Sequence, residues 1–169
     1  MSEIDAHGLA VDVPPGWEGR IFRRSRAGET QTSEVAGAPA PMGELTFAVA
    51  HVATVALPID AADYGSDVVE TLGPNDVFIV VKEFDPNEAG QRLFSRAGMP
   101  RSLAAEDFDP AALQRALEGQ AGRQVFFNEA GRAFCLYVVL GGYQRRNQVI
   151  AQVNRVLGAI RIDPLPAAP

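Results

Sequence analysis

A chain of 169 residues, 47% apolar and 21% charged, is long enough for one domain with a sizeable core and too apolar to be disordered throughout. Its 21 acidic and 15 basic residues leave a formal charge of −6, which favours neither nucleic acid nor an anionic membrane as a partner. A single cysteine, Cys135, excludes an internal disulfide and a zinc cluster built from cysteines of one chain.

The start, "MSEIDAHG", is polar and acidic and reads as a loose end over residues 1–7, without the basic and apolar regions of a signal peptide. No run of 18 apolar residues follows, so the expected location is cytoplasmic with no membrane partner. "GLAVDV" alternates Leu9, Val11 and Val13 against Ala10 and Asp12, the period of a half-buried strand. Pro14-Pro15-Gly16-Trp17 then suits a type II turn, with Gly16 supplying the positive φ. "GRIFRR" reads as a second strand that must bulge or stop near residue 23, because either choice of inward face also turns an arginine inward.

Residues 25–43 lack periodicity and read as a long loop. In "ELTFAVAHVATVAL" the bulky Leu45, Phe47, Val49, His51, Val55 and Leu57 share one face of a predicted strand over 44–57. Smaller residues such as Ala48 and Ala50 share the other. "SDVVETLG" predicts a short helix capped by Ser66 and stopped by Gly73. "DVFIVVKEF" is a near-continuous apolar run, as in a central strand covered on both faces. "DPNEAGQRLF" and "DPAALQRALEG" open on Asp-Pro, which predicts two more short helices. "RQVFFNEAGRAFCLYVVLGG" predicts a hairpin turning at Asn128–Gly131. Val149, Ile150, Val153, Val156, Leu157 and Ile160 then recur at helical spacing, followed by a last short strand at "AIRI" and a flexible tail over 163–169.

Several residues invite a chemical role, and each also has a structural reading. His51 sits mid-strand on an apolar face; with His7 as the other histidine there is no two-histidine metal motif, and a hydrogen-bonded core histidine is expected. Cys135 has apolar neighbours and reads as a buried thiol rather than a nucleophile. Gly141-Gly142 before Arg145 and Arg146 could expose amides to a phosphate, but no nucleotide motif surrounds them and a compact strand-to-helix turn is expected. Asp60, Asp63, Asp67, Glu70 and Asp76 lack the order of a calcium loop and read as a solvated face. No catalytic residue, metal site or cofactor is therefore assigned. Trp17 with Arg20, Arg23 and Arg24 forms the one candidate partner-binding patch, an aromatic–basic cluster suited to an acidic protein; the other reading is a tryptophan covering a core edge beside solvated arginines.

"VDVPPGW" near the start and "VNRVLGAIRI" near the end resemble the opening bend and the closing helix and strand of PsbP-like proteins. That resemblance implies an α+β fold over 1–169 as a single domain, an antiparallel β-sheet flanked by helices in an α/β/α sandwich. It also implies a non-catalytic accessory or binding protein. The expected function is thus protein–protein binding of the accessory or adaptor type. The alternative is a module for an apolar small molecule, enclosed between the strand over 44–57 and the hairpin. A hydrolase ranks third, because no nucleophile, base and oxyanion site can be assembled from named residues.

Overall fold

The computed structural model describes residues 2–23 and 47–166. In chain order the strands are β1 (Ser2–Ala6), β2 (Leu9–Val13), β3 (Glu18–Phe22), β4 (Val49–Ala53), β5 (Val77–Phe84), β6 (Ala121–Glu129), β7 (Arg132–Leu140) and β8 (Ile160–Ile162). Helix α1 spans Arg146–Gly158. The strands form two antiparallel sheets, a large one in the order β3-β4-β5-β7-β6 and a small one in the order β1-β2-β8.

The alternation read in the sequence decides what each face of the large sheet carries. Ala50, Val52, Ile79, Val81, Leu136 and Val138 point to one side, into the larger core cluster. There they meet Val149, Val153, Val156 and Leu157 of α1 and Leu9, Val11 and Ile160 of the small sheet. Val49, Ala53, Phe78, Val80, Cys135 and Tyr137 point to the other side, into a second cluster. Irregular chain covers that side: Leu57, Ala61, Val68 and Val69 from the segment after β4, and Leu113 and Leu117 from the segment before β6. Central β5 is buried on both faces, as its unbroken apolar run predicts.

The protein is therefore mostly β, and the expected α/β/α sandwich is overturned. Among the described residues a helix packs on one side of the large sheet only. The three predicted short helices collapse to isolated 3-10 turns or to none. The segment 66–73 keeps one such turn, Val69–Thr71. Its β-branched Val68, Val69 and Thr71 are poor helix formers, and Gly73 ends it within two turns. At 85–94 Asp85 does cap the amide of Asn87, but the turn Pro86–Glu88 stops before Gly90 and a second turn, Arg92–Phe94, replaces a continuous helix. In the segment 109–119 the main-chain groups are committed elsewhere. Asp109 exchanges both its hydrogen bonds with Gly122, and the amide of Gln114 donates to the Tyr137 hydroxyl at 2.8 Å. A backbone group bonded across the fold is not free to bond its own fourth neighbour.

The first residues are a second correction. Ser2–Ala6 pair along their whole length with β2 in a hairpin turned by His7 and Gly8, both at positive φ, as two-residue hairpin turns require. The Pro14–Trp17 turn forms as expected: Gly16 has φ +82° and the Trp17 amide donates to the Pro14 carbonyl at 3.1 Å. β3 ends at Phe22, which removes the conflict at residue 23. The hairpin of β6 and β7 is also as predicted, turned by Ala130-Gly131. The predicted loop over 25–43 lies outside the described residues, as do 167–169 of the predicted tail.

One buried ion pair ties the small sheet to the large one. Arg132, 1% exposed, donates from Nε to Glu83 at 2.7 Å. Its Nη1 donates to the carbonyls of Gly8 and Asp163, and its Nη2 to that of His7. A guanidinium can do this because its donors lie in a fixed fork. The hairpin turn of β1 and β2 and the chain after β8 are thus held by one side chain of β7.

Candidate functional site

The predicted partner-binding residues do not form one patch. Trp17, half-buried, packs against the larger core cluster. Arg20 leaves the opposite side of β3, where its Nη1 donates to the Pro58 carbonyl at 2.7 Å. Glu18 on that same side accepts from the Leu57 amide, so β3 anchors the chain that covers the second cluster. Arg23 is exposed just past the strand, and Arg24 lies outside the described residues.

The other candidates take structural places. The Nε2–H of His51 donates to the Asp63 carbonyl at 2.8 Å, and its ring meets Phe22 and Phe78 edge-on. Cys135 is fully buried, and burial pushes its thiol above the usual range; hydrogen bonds from Gln124 and Tyr64 partly oppose this. Burial likewise raises the phenols of Tyr64 and Tyr137. The five carboxylates scatter. Asp63 pairs with Lys82, Glu70 pairs with Arg115, and Asp76 accepts from Thr54 and Gly73. Among the described residues no cluster of His, Cys, Asp and Glu could hold a metal ion. Gly141 and Gly142 lie directly against the backbone of Gly73 and Pro74, where a β-carbon would collide with their carbonyls. That close approach is why glycines stand there, and Arg146 folds back over the Tyr143 ring and donates to the Tyr143 carbonyl.

What sequence reasoning missed lies at one edge of the large sheet. β6 is one of its two edge strands, and its outward main-chain groups belong to the even-numbered residues. Gly122 exchanges hydrogen bonds with Asp109 at one end. Asn128 accepts from the Gly98 amide and donates to the Arg96 carbonyl at the other. The β6–β7 register is continuous, so Gln124 and Phe126 also turn N–H and C=O outward. Neither has a main-chain partner there among the described residues. The edge is therefore closed at both ends and open in the middle.

A groove of about 720 Å³ lies beside this opening. Its lining includes Arg123, Gln124, Glu106, Asp107, Asp109 and Tyr143. The Nε of Arg123 is buried and has no hydrogen-bond partner, an arrangement that costs free energy unless something supplies an acceptor. Asp107 and Asp109 each accept one nearby amide, and none of the three carboxylates pairs with a basic side chain among the described residues. A second cavity of about 340 Å³ is lined by Phe47, Pro86, Pro164, Leu165, Glu83 and Arg23, among others. Phe47 and Arg23 there border residues 24–46, outside the described part. No stretch of sequence signals the β6 opening, because edge position follows from strand order, which is a property of the whole sheet.

Among the described residues no helix is long and apolar enough to cross a membrane. No protein-family model matches this chain, and no curated protein or solved structure does.

Proposed function

We propose that this chain is a cytoplasmic, non-catalytic accessory protein that acts by binding another protein through the open middle of β6. The observation that supports this is the pair of unpartnered outward main-chain groups at Gln124 and Phe126, next to a groove large enough to admit an extended segment. A strand added at such an edge gains affinity from main-chain hydrogen bonds and selectivity from the side chains around it. The titratable residues favour the non-catalytic reading: His51 and Cys135 are buried in packing roles, and neither faces the groove.

Gln124→Pro tests the reading. Proline is tolerated on an edge strand where its missing N–H would have faced outward, so the fold is expected to survive while the slot loses a donor. Cross-linking in the native cell with wild-type protein should yield partner peptides joined near β6, and the variant should lose them. Partners retained in full by a well-folded Gln124→Pro protein would refute the edge as the binding surface.

The apolar-ligand reading keeps one supporting observation, the cavity between Phe47, Pro86 and Leu165. Its 340 Å³ is at the small end of ligand sites. A co-purifying lipid-like molecule, detected by native mass spectrometry, would favour it.

A further inference from the structure

Resting on the edge-binding reading, we infer that the β6 groove takes an extended peptide segment carrying basic side chains. The length of the opening follows from the strand itself. Gly122 to Asn128 spans about 20 Å at the usual rise, and both ends are already paired, which leaves room for about four extended residues. The main chain of such a segment meets Gln124 and Phe126.

The side-chain preference follows from charge. Glu106, Asp107 and Asp109 stand on the groove wall, and Arg123 is the basic residue there. The buried Nε–H of Arg123 has no acceptor within the described residues, so this one basic group leaves the acidic wall without a pairing partner. The three carboxylates have no basic partner among the described residues, and a main chain supplies no cation to pair with them. Lysine or arginine at alternate positions of the segment places each charge on one side of the added strand. A second copy of this chain fits less well. Pairing β6 with its own copy about a two-fold axis brings two acidic walls together, on a protein that already carries −6.

The experiment measures binding of three fluorescent, end-blocked four-residue peptides by anisotropy, with Thr alternating with Lys, Glu or Gln. The Lys peptide is expected to bind tightest, and to weaken markedly between about 50 mM and about 300 mM salt as screening shortens the range of its charges. Glu106→Lys changes an exposed residue with no hydrogen bond of its own in the fold. It should weaken the Lys peptide by about threefold to tenfold and leave the Gln peptide nearly unchanged. Gln124→Pro should weaken all three. Equal binding of the three peptides, all sensitive to Gln124→Pro, would overturn the basic preference and leave the edge reading intact. Binding insensitive to Gln124→Pro, or no binding of any peptide, would overturn both. Self-association in sedimentation that Gln124→Pro abolishes would make a second copy the occupant and overturn the peptide.

Discussion

Arg132→Met removes the charge that joins the two sheets while keeping an unbranched side chain of similar length. Three consequences can be counted. The Glu83 carboxylate, 6% exposed, loses its ion-pair partner and keeps only a long contact of 3.5 Å from the Ala48 amide. The carbonyls of His7 and Asp163 lose their donor, while that of Gly8 keeps the Asp163 amide at 2.9 Å. The cation over the Phe134 ring is also lost. Breaking one partner out of a buried pair typically costs about 3–5 kcal/mol, against a total stability of about 5–15 kcal/mol for a domain. With a urea slope of about 2 kcal/mol per M, the unfolding midpoint should fall by about 2 M. The double variant Glu83→Leu/Arg132→Met carries no stranded charge and should recover a large part of that loss. It should not recover all of it, because the carbonyls of His7 and Asp163 remain without this donor, at about 1 kcal/mol each. A single-variant cost below about 1 kcal/mol, or a double-variant cost equal to the sum of the two singles, would refute the pin as the link between the sheets.

Two further outcomes follow from buried groups. Val153→Asp places a charge at a fully buried position of α1 facing the large sheet, and should cost several kcal/mol; an unchanged melting temperature would refute the assigned face. Cys135 holds its proton more tightly folded than unfolded, because burial raises its pKa. Its contribution is therefore complete below the unfolded pKa of about 8.5 and declines as the pH rises towards the higher folded value, at up to about 1.4 kcal/mol per pH unit. Cys135→Ala should flatten the alkaline side of the stability curve, as read by urea unfolding from neutral pH upward; identical alkaline slopes in both proteins would contradict this.

The sequence was legible wherever a local pattern and the tertiary context agreed. β2, the Gly16 turn, the central apolar run of β5, the β6–β7 hairpin and the face of α1 all carry periodicity or turn chemistry that their final surroundings use. It failed where long-range partners claimed the backbone. The Asp-Pro signal at Asp109-Pro110 is a sound helix start in isolation, and Asp109 does cap the Ala111 amide. Pairing with Gly122 and the Tyr137 hydroxyl then won over helix propagation, which needs several turns to become favourable. The first residues failed for the opposite reason. Glu3 and Asp5 look like solvent-exposed chain because they are exposed, yet they lie on an edge strand whose main chain is paired with β2. The aromatic–basic stretch was read as one surface because its residues are neighbours in sequence. On a strand, neighbours face opposite ways, and Trp17 and Arg20 serve opposite sides of the same sheet.

The same strand logic bears on why an opening at β6 is tolerable. A long, flat edge invites unlimited pairing with other chains, and soluble proteins usually blunt it. Here the chain blunts both ends with its own backbone, at Asp109 and at Ala97–Gly98, and leaves two outward positions between them. An extended segment of more than a few residues meets those stops, so the edge cannot template an open-ended stack. The acidic wall adds a second restriction by repelling the edge of another copy. A surface that is short, bounded and charged on one side discriminates by length and by sign. On the proposed reading, those two restrictions fit selective capture of a short basic segment, with the irregular segment 99–109 forming one wall of the groove. Leu103 of that segment is clamped to α1 by both hydrogen bonds of the Asn154 amide. The wall of the groove is thereby hydrogen-bonded to α1, which itself packs on the large sheet.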